Sequence, residues 1–167
     1  MNWWPYEKFS VISTLNLDEV KSRMIEQVTP ASPVTFFEQL TNIYPAPFKG
    51  YVNADGFKIE PVIVGRNSFI PLIKGKFEAT ESGSRVYITM AMHNEISYIM
   101  IGVATFLLFV GLMSWLGTLQ SGKFDFVSLG PFGILALIYL MVIYGFNSES
   151  NSCRTFLIEL LEGEYER

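Results

Sequence analysis

The sequence is poor in the residue types that most catalytic and metal sites use. Its 167 residues include one cysteine, Cys153, and one histidine, His93. A single cysteine excludes an intramolecular disulfide, and a lone histidine without nearby cysteines or paired acids is a poor metal or catalytic site. The chain also lacks the P-loop, the dinucleotide-binding glycine fingerprint, Cys-x-x-Cys, His-Glu-x-x-His and Gly-x-Ser-x-Gly. We therefore predict a protein that is not an enzyme and holds no metal or cofactor.

Charge is scarce as well, and neither sign dominates. The chain has 12 Lys and Arg against 16 Asp and Glu, which gives a net charge of −4 at pH 7. Residues 1–95 carry nine of the basic and ten of the acidic residues, so the composition shows no basic stripe of the kind that binds nucleic acid. The pI near 5.0 also argues against a polybasic attachment to anionic lipid. Nucleic acid is therefore not an expected partner.

Two long uncharged runs occupy the second half of the chain. Residues 96–117 and 129–146 contain no Asp, Glu, Lys, Arg or His. At about 1.5 Å per helical residue the first run reaches roughly 33 Å, enough to cross a hydrocarbon core of about 30 Å. We therefore predict two antiparallel spans joined by residues 118–128. Together they form a transmembrane hairpin at 96–146, with the lipid bilayer as its partner.

Both ends of the chain are expected in the cytoplasm. The first ten residues lack the charged-then-apolar pattern of a secretory signal, so nothing indicates export of a domain that precedes the first span. Lys76, Arg85 and Arg154 lie within about 20 residues of the outer ends of the spans, against Lys123 alone in the loop. This modest asymmetry predicts a multi-pass protein of the inner (cytoplasmic) membrane with both termini cytoplasmic.

Alternation with a period of two indicates a sheet in residues 1–95. Two amphipathic helices, at 18–28 and 150–162, are available to cover one face of that sheet. We predict an α+β fold in which an antiparallel β meander is covered by these two helices. The transmembrane hairpin is inserted before the C-terminal helix, which lies in 147–167 and packs back on the cytoplasmic domain.

Local signals add detail to this fold. Asn16 is expected to cap the first helix, and Thr29-Pro30 to end it. Residues 34–43, bracketed by prolines, form at most a short helix. The aromatic cluster before the first strand leaves two interpretations open: it anchors the chain at the lipid headgroups, or it covers the end of a small core. The cluster consists of Trp3, Trp4 and Tyr6.

Two polar positions are candidate contacts for a partner or a lipid headgroup. Arg66, followed by Asn67 and Ser68, has a guanidinium that can fork onto a phosphate or a carboxylate, but Gly-Arg-Asn-Ser is also ordinary turn chemistry. His93 stands just before the first span and can titrate near neutral pH. Its alternative role is structural, with Asn94 capping the junction between strand and helix. The structural interpretation is preferred at both positions.

Small residues are candidates for the contact between the spans. Helices in a bilayer associate through close packing, because lipid tails are as apolar as leucine. In an antiparallel hairpin, the end of the first span lies at the depth where the second begins. We therefore predict that two sets of small residues face each other, and that the hydroxyls of Thr105 and Tyr139 meet deeper in the membrane. The sets are Gly111, Ser114 and Gly117 on the first span, and Gly130, Gly133 and Ala136 on the second.

One segment carries a resemblance to a known family. The chain contains Arg-Asn-Ser-Phe-x-Pro at 66–71, an opening Pro-Tyr-x-x-Phe at 5–9, and Phe-x-Gly at 48–50. An alternating strand then ends in His93 before two spans and a short C-terminal helix. In these features the chain resembles a family of small bacterial two-span membrane proteins without an assigned activity. The resemblance implies the architecture and brings no substrate or cofactor.

Two functions from different classes remain open. The first is an interaction or scaffold domain held at the membrane, for example as an accessory subunit of a larger membrane complex or as a homo-oligomer. The second is a domain that senses lipid headgroups, of the kind that bacterial pleckstrin-like proteins resemble. Because the spans carry no charged residue, one hairpin offers no ion pathway.

The topology is testable with an impermeant thiol reagent on intact cells. A Ser121→Cys variant is expected to be labelled from outside, because residue 121 lies in the loop between the spans. Labelling of a tag at the N-terminus from that side would reverse the predicted orientation.

Overall fold

Alternating apolar side chains form the sheet, and the two uncharged runs form helices. The computed structural model describes residues 3–30, 46–62, 69–122 and 126–166. Within these ranges the chain is α+β, with a seven-stranded mixed sheet and three α-helices, two of them long and apolar. The predicted short helix at 34–43 lies outside the described residues. In chain order the elements are β1 (Tyr6–Ser13), α1 (Leu17–Glu26), β2 (Val28–Pro30), β3 (Phe48–Val52), β4 (Gly56–Pro61), β5 (Pro71–Thr80), β6 (Gly83–Met92), α2 (Asn94–Ser121), a 3-10 turn (Phe126–Leu129), α3 (Gly130–Leu160) and β7 (Gly163–Glu166).

The sheet has the order β2-β3-β4-β5-β6-β1-β7. The predicted meander is confirmed from β3 to β6, whose neighbouring strands pair antiparallel. The sheet as a whole is mixed, because β2 runs parallel to β3 with Val28 opposite Phe48. The sequence interpretation assigned Val28 to the helix and Thr29-Pro30 to its end. In the structure α1 ends earlier, and the amide of Phe48 donates to the carbonyl of Gln27 at 3.2 Å, which draws the next residues into the sheet.

The first helix begins where its capping residue predicts. The side chain of Asn16 accepts a hydrogen bond from the amide of Glu19 at 2.8 Å, which satisfies one of the free amides of the first turn. Val20 and Met24, four residues apart, are both fully buried against the sheet. The cap and the apolar face of this helix are therefore confirmed.

The predicted second span and the predicted C-terminal helix form one continuous helix, α3. The sequence interpretation separated them because the polar run at 147–152 is typical of a loop. The run has no Gly or Pro, and two of its polar side chains bond to carbonyls of the helix itself. Asn147 donates to the carbonyl of Ile143 at 2.8 Å, and Ser152 to that of Ser148 at 3.2 Å. With 31 residues, α3 extends over about 46 Å.

The C-terminal half of α3 covers the sheet on the same face as α1. Its buried residues recur every three or four positions, as expected for one face of a helix. All of them except Ile143 and Ser150 pack with the inward side chains of the strands, among them Val11, Ile73 and Ile88, into one core. The buried residues of α3 are Val142, Ile143, Phe146, Ser150, Cys153 and Leu157.

Replacement of Leu157 tests this cover. Leu157 is completely buried, so Leu157→Asp places a charge against apolar surface and should destabilise the domain by at least about 3 kcal/mol. The exposed neighbour Thr155 provides the control, since Thr155→Asp should change stability by less than about 0.5 kcal/mol. Limited proteolysis of native membranes is expected to cleave the first variant rapidly and the second at the wild-type rate. Equal resistance of both variants would show that the C-terminal helix does not hold the domain together.

Candidate functional site

A buried carboxylate joins the long helix α3 to the first strand. Glu7 is 7% exposed, and both of its carboxylate oxygens accept short hydrogen bonds from α3. Ser150 Oγ donates to Oε2 at 2.6 Å, and Arg154 Nη1 donates to Oε1 at 2.6 Å. Arg154 also donates to Asn151 Oδ1 at 2.8 Å, so its guanidinium is held from two sides. This network fixes the rotation of α3 relative to the sheet.

Sequence reasoning did not single out Glu7, although a signal was present. An acidic residue two positions before Phe9 lies on the inward face of β1 by the alternation of the strand. Because a buried charge is rarely left unpaired, its position predicted a basic partner on whichever element covers that face. Only the packing of α3 against the sheet identifies this partner as Arg154.

The only cysteine lies beside this network and is inert. Cys153 is buried in the core, and burial raises the pKa of its thiol to about 12, with a smaller contribution from the charge of Glu149. At neutral pH the thiol is therefore protonated and a poor nucleophile. As a consequence, a cysteine introduced in the segment between the two long helices can be labelled without interference from Cys153.

His93 takes part in a polar cluster with Glu60 and Lys49 at the end of the sheet from which α2 leaves. Its Nε2 lies 2.8 Å from Glu60 Oε1, and Lys49 Nζ lies 3.5 Å from Glu60 Oε2. The expectation that Asn94 caps the helix is wrong: Asn94 is the first residue of α2, and His93 occupies the cap position without a side-chain cap bond. The carbonyl of His93 instead accepts from the amide and the hydroxyl of Ser97.

Arg66, Asn67 and Ser68 lie outside the described residues. The residue that follows them, Phe69, is described and packs its ring against α3 at Gly145. A side chain at Gly145 would come within 2.7 Å of that ring, so glycine is needed for this close approach.

The structure places the contact between the two long helices on a different face from the one predicted. Gly111 is buried, and a side chain there would come within 2.8 Å of the Phe132 ring. The other five small residues, Ser114, Gly117, Gly130, Gly133 and Ala136, are exposed. On α2 the covered face instead runs through Ala104, Leu107 and Gly111. The physical reason is that a phenyl ring fills the space over Gly111, which replaces backbone-to-backbone contact by ring-to-backbone contact.

The predicted contact between hydroxyls of the two spans is also absent from the described residues. Thr105 donates to the carbonyl of Ile101 at 2.8 Å, one turn earlier in its own helix. Tyr139 donates to the carbonyl of Trp3. The latter bond ties the N-terminal segment to α3.

The N-terminal aromatic residues border a cavity beside the two long helices. Trp3 and Trp4 are 70% and 72% exposed, so they do not form the end of a closed core. Trp4 and Tyr6 line a cavity of about 420 Å³, together with the first turns of α2 and the middle of α3. The lining is largely apolar, with Asn94, Ser97 and Tyr139 among its polar members.

The face of the sheet opposite α1 and α3 carries a cluster of lysines. Cross-strand neighbours place Lys8 and Lys74 on either side of Thr89, with Lys58 directly opposite Lys74. Lys76 lies two residues further along β5, opposite Tyr87. None of these four lysines forms an ion pair with another described residue. We call Lys8, Lys58, Lys74 and Lys76 the lysine face.

Like charges placed directly opposite each other destabilise a sheet. The Lys58–Lys74 pair therefore does not stabilise the fold. The net charge of the chain is negative, so a general excess of lysine does not account for the cluster. Tyr51, opposite Lys58, and Tyr87, opposite Lys76, stand exposed among the lysines. Exposed tyrosines are typical of binding surfaces because they combine a large apolar ring with a hydroxyl.

The chain matches no protein-family model, no curated protein and no solved structure. The resemblance to the bacterial two-span family therefore stays a prediction from its residues. What the fold itself defines is an α+β chain with two helices long and apolar enough to cross a membrane.

The contribution of the buried network to the free energy of unfolding can be measured with one Arg→Met substitution inside the network and one outside it. Arg154→Met removes one partner of the buried Glu7 and should cost about 1.5–3 kcal/mol of unfolding free energy. Arg23→Met removes an arginine whose carboxylate partners, Glu19 and Glu162, are largely exposed and whose bond to the carbonyl of Leu160 is long, at 3.3 Å. It should cost less than about 1 kcal/mol. Urea unfolding in detergent micelles, followed by circular dichroism, gives both values. Equal losses would mean that the Glu7 network does not anchor the helix.

Proposed function

We propose that the chain is an integral membrane protein whose two long helices cross the bilayer. In the most apolar 18-residue stretch of α2, only 6% is buried by the rest of the described chain. In the corresponding stretch of α3, the buried share is 17%. Exposed apolar patches of that extent do not persist in water. A bilayer provides the missing cover, since a helix satisfies its own backbone hydrogen bonds in lipid.

Exposed aromatic residues support a boundary at the sheet end of the helices. Tyr98, in the second turn of α2, and Tyr144, on α3, are 71% and 74% exposed. The exposed Trp3 and Trp4 belong to the N-terminal segment that Tyr139 binds. Tyrosine and tryptophan favour the headgroup level of a membrane. This arrangement favours the anchor interpretation of the N-terminal cluster.

We further propose that the sheet domain, on the cytoplasmic side of the inner membrane, is an interaction module for a protein with an acidic surface. The observation that carries this proposal is the lysine face: four lysines without ion-pair partners in the described part, of which Lys58 is half-buried and the other three are exposed, interspersed with exposed tyrosines. Charge complementarity between such a face and an acidic partner guides and orients association. The partner is a subunit of a larger membrane complex or a second copy of this chain, whose outer helix surfaces carry Asp18, Glu26 and Glu159.

Anionic lipid headgroups are the second candidate ligand for the same cations. Lysine binds a phosphate as a point charge, and the domain is held next to its own bilayer in the proposed topology. In this case the protein is a membrane-anchored sensor of headgroups, the pleckstrin-like alternative.

Photo-crosslinking in living cells tests the lysine face. Replacing Tyr87 by p-benzoylphenylalanine puts a photoreactive benzophenone on the lysine face, and the exposed position of Tyr87 leaves room for the added ring. We expect a discrete protein adduct that is lost when Lys74→Glu is added, because this substitution reverses a charge inside the face. It should also weaken when membranes are washed at high salt, since exposed charges are screened within about 3 Å at 1 M salt.

Lys21→Glu is the matched control, since it makes the same change in net charge on the opposite side of the sheet, where Lys21 lies over the Phe77 ring. The adduct should persist in this variant. An adduct that contains only phospholipid would replace the protein-binding proposal by the headgroup proposal. No adduct at either Tyr87 or Tyr51 would exclude the face as an interface.

A further inference from the structure

The residues that line the cavity beside the long helices become less polar with distance from the sheet. At the end nearest the sheet it is lined by Trp4, Asn94 and Ser97, and further along the helices by Ala104, Leu135 and Ile138. The hydroxyl of Ser97 is already bonded to the carbonyl of His93. Tyr139, at intermediate depth, has its hydroxyl bonded to the carbonyl of Trp3. The deeper part offers apolar contacts alone, while the shallow part has polar side chains and an indole.

The depth of the cavity corresponds to one leaflet of a bilayer. Positions 94 and 104 of α2 are ten residues apart, which is about 15 Å along the helix axis. Half of a hydrocarbon core of about 30 Å has the same length. The volume of about 420 Å³ falls in the range of small-molecule sites, roughly 300–1,000 Å³.

The cavity is continuous with the surface that the proposed membrane covers. Ile101 and Val103 line it and are also 62% and 39% exposed on the outer surface of α2. Tyr139 lines it from α3 and is 40% exposed. A molecule in the cavity can therefore exchange with the surroundings of the helices without an opening movement of the domain.

We infer that the cavity binds one acyl chain of a membrane phospholipid, with its polar end at the level of Asn94 and Ser97. This inference rests on the proposed insertion of the helices, because lipid reaches the cavity only from the bilayer. Water is a poor occupant of the deep part, since a stable buried water needs two to four polar partners. The occupied cavity joins the N-terminal segment, α2 and α3 through a lipid of the cytoplasmic leaflet.

The test uses the full-length chain in vesicles of phosphatidylcholine that contain a phosphatidylcholine with a photoreactive diazirine in the middle of one acyl chain. After illumination, mass spectrometry measures the lipid adducts on each peptide. Adducts on Leu135 and Ile138 should exceed those on Phe106 and Leu140, which are 64% and 56% exposed at similar depth and meet only exchanging bulk lipid.

Two substitutions of equal size then locate the lipid. Ala104→Phe puts a ring into the cavity and should lower labelling of Leu135 and Ile138 about tenfold. Ala136→Phe makes the same change on the exposed face of α3 and should leave it unchanged. Labelling of Phe106 and Leu140 should be the same in all three proteins, which also shows that the variants are inserted.

The outcomes distinguish failure of the acyl-chain inference from failure of the proposed membrane insertion. Equal labelling of cavity and exposed residues in the wild-type protein overturns the inference while leaving membrane insertion intact. Equal labelling of Ile138 in the wild type and in Ala104→Phe overturns it as well. Lipid adducts on Phe106 and Leu140 with none on Leu135 and Ile138 would show that something other than lipid fills the cavity and would also overturn the inference. Absence of lipid adducts at every position, Phe106 included, would contradict the proposed insertion itself.

Discussion

One continuous helix, Gly130–Leu160, has to satisfy two different surroundings, and the rest of the structure depends on how it does so. Its first half is apolar on nearly all sides and leaves most of its surface uncovered. Its second half has an apolar stripe that completes the core over the sheet. Between the halves the polar run at 147–152 continues the helix because Asn147 and Ser152 bond to carbonyls of the preceding turn.

This continuity makes the sheet domain and the apolar helices mechanically connected. A loop at residue 147 would let the domain turn freely relative to the apolar half of α3, whereas a helix transmits both tilt and rotation. The buried Glu7 adds a rotational lock, since Ser150 and Arg154 reach it from one side of α3. A buried carboxylate stabilises little by itself, but it is costly to leave unpaired. It therefore selects one orientation of the helix over others with similar apolar packing.

The two faces of the sheet have different roles. The inward face is closed by α1 and α3, and its residues serve packing. The outward face carries lysines whose mutual proximity does not stabilise the fold, together with exposed tyrosines. The cavity lies at the junction where the sheet ends and α2 begins. In the proposed topology the domain thus presents charge to a partner beside the membrane, and the junction presents an apolar site to the lipid.

The sequence by itself determined the elements whose signal is local. The period of two located β3 to β6, the cap at Asn16 located α1, and the absence of charge located the two long helices, because each pattern involves neighbours along one element. The tertiary structure decided what depends on distant residues. The pairing of β2 with β3, the addition of β7 beside β1, and the Glu7–Arg154 contact join positions far apart in the chain. The helix contact at Gly111 depended on the Phe132 ring that fills the space over it. Small residues mark where helices can approach, but the shapes of the facing side chains determine which of them do.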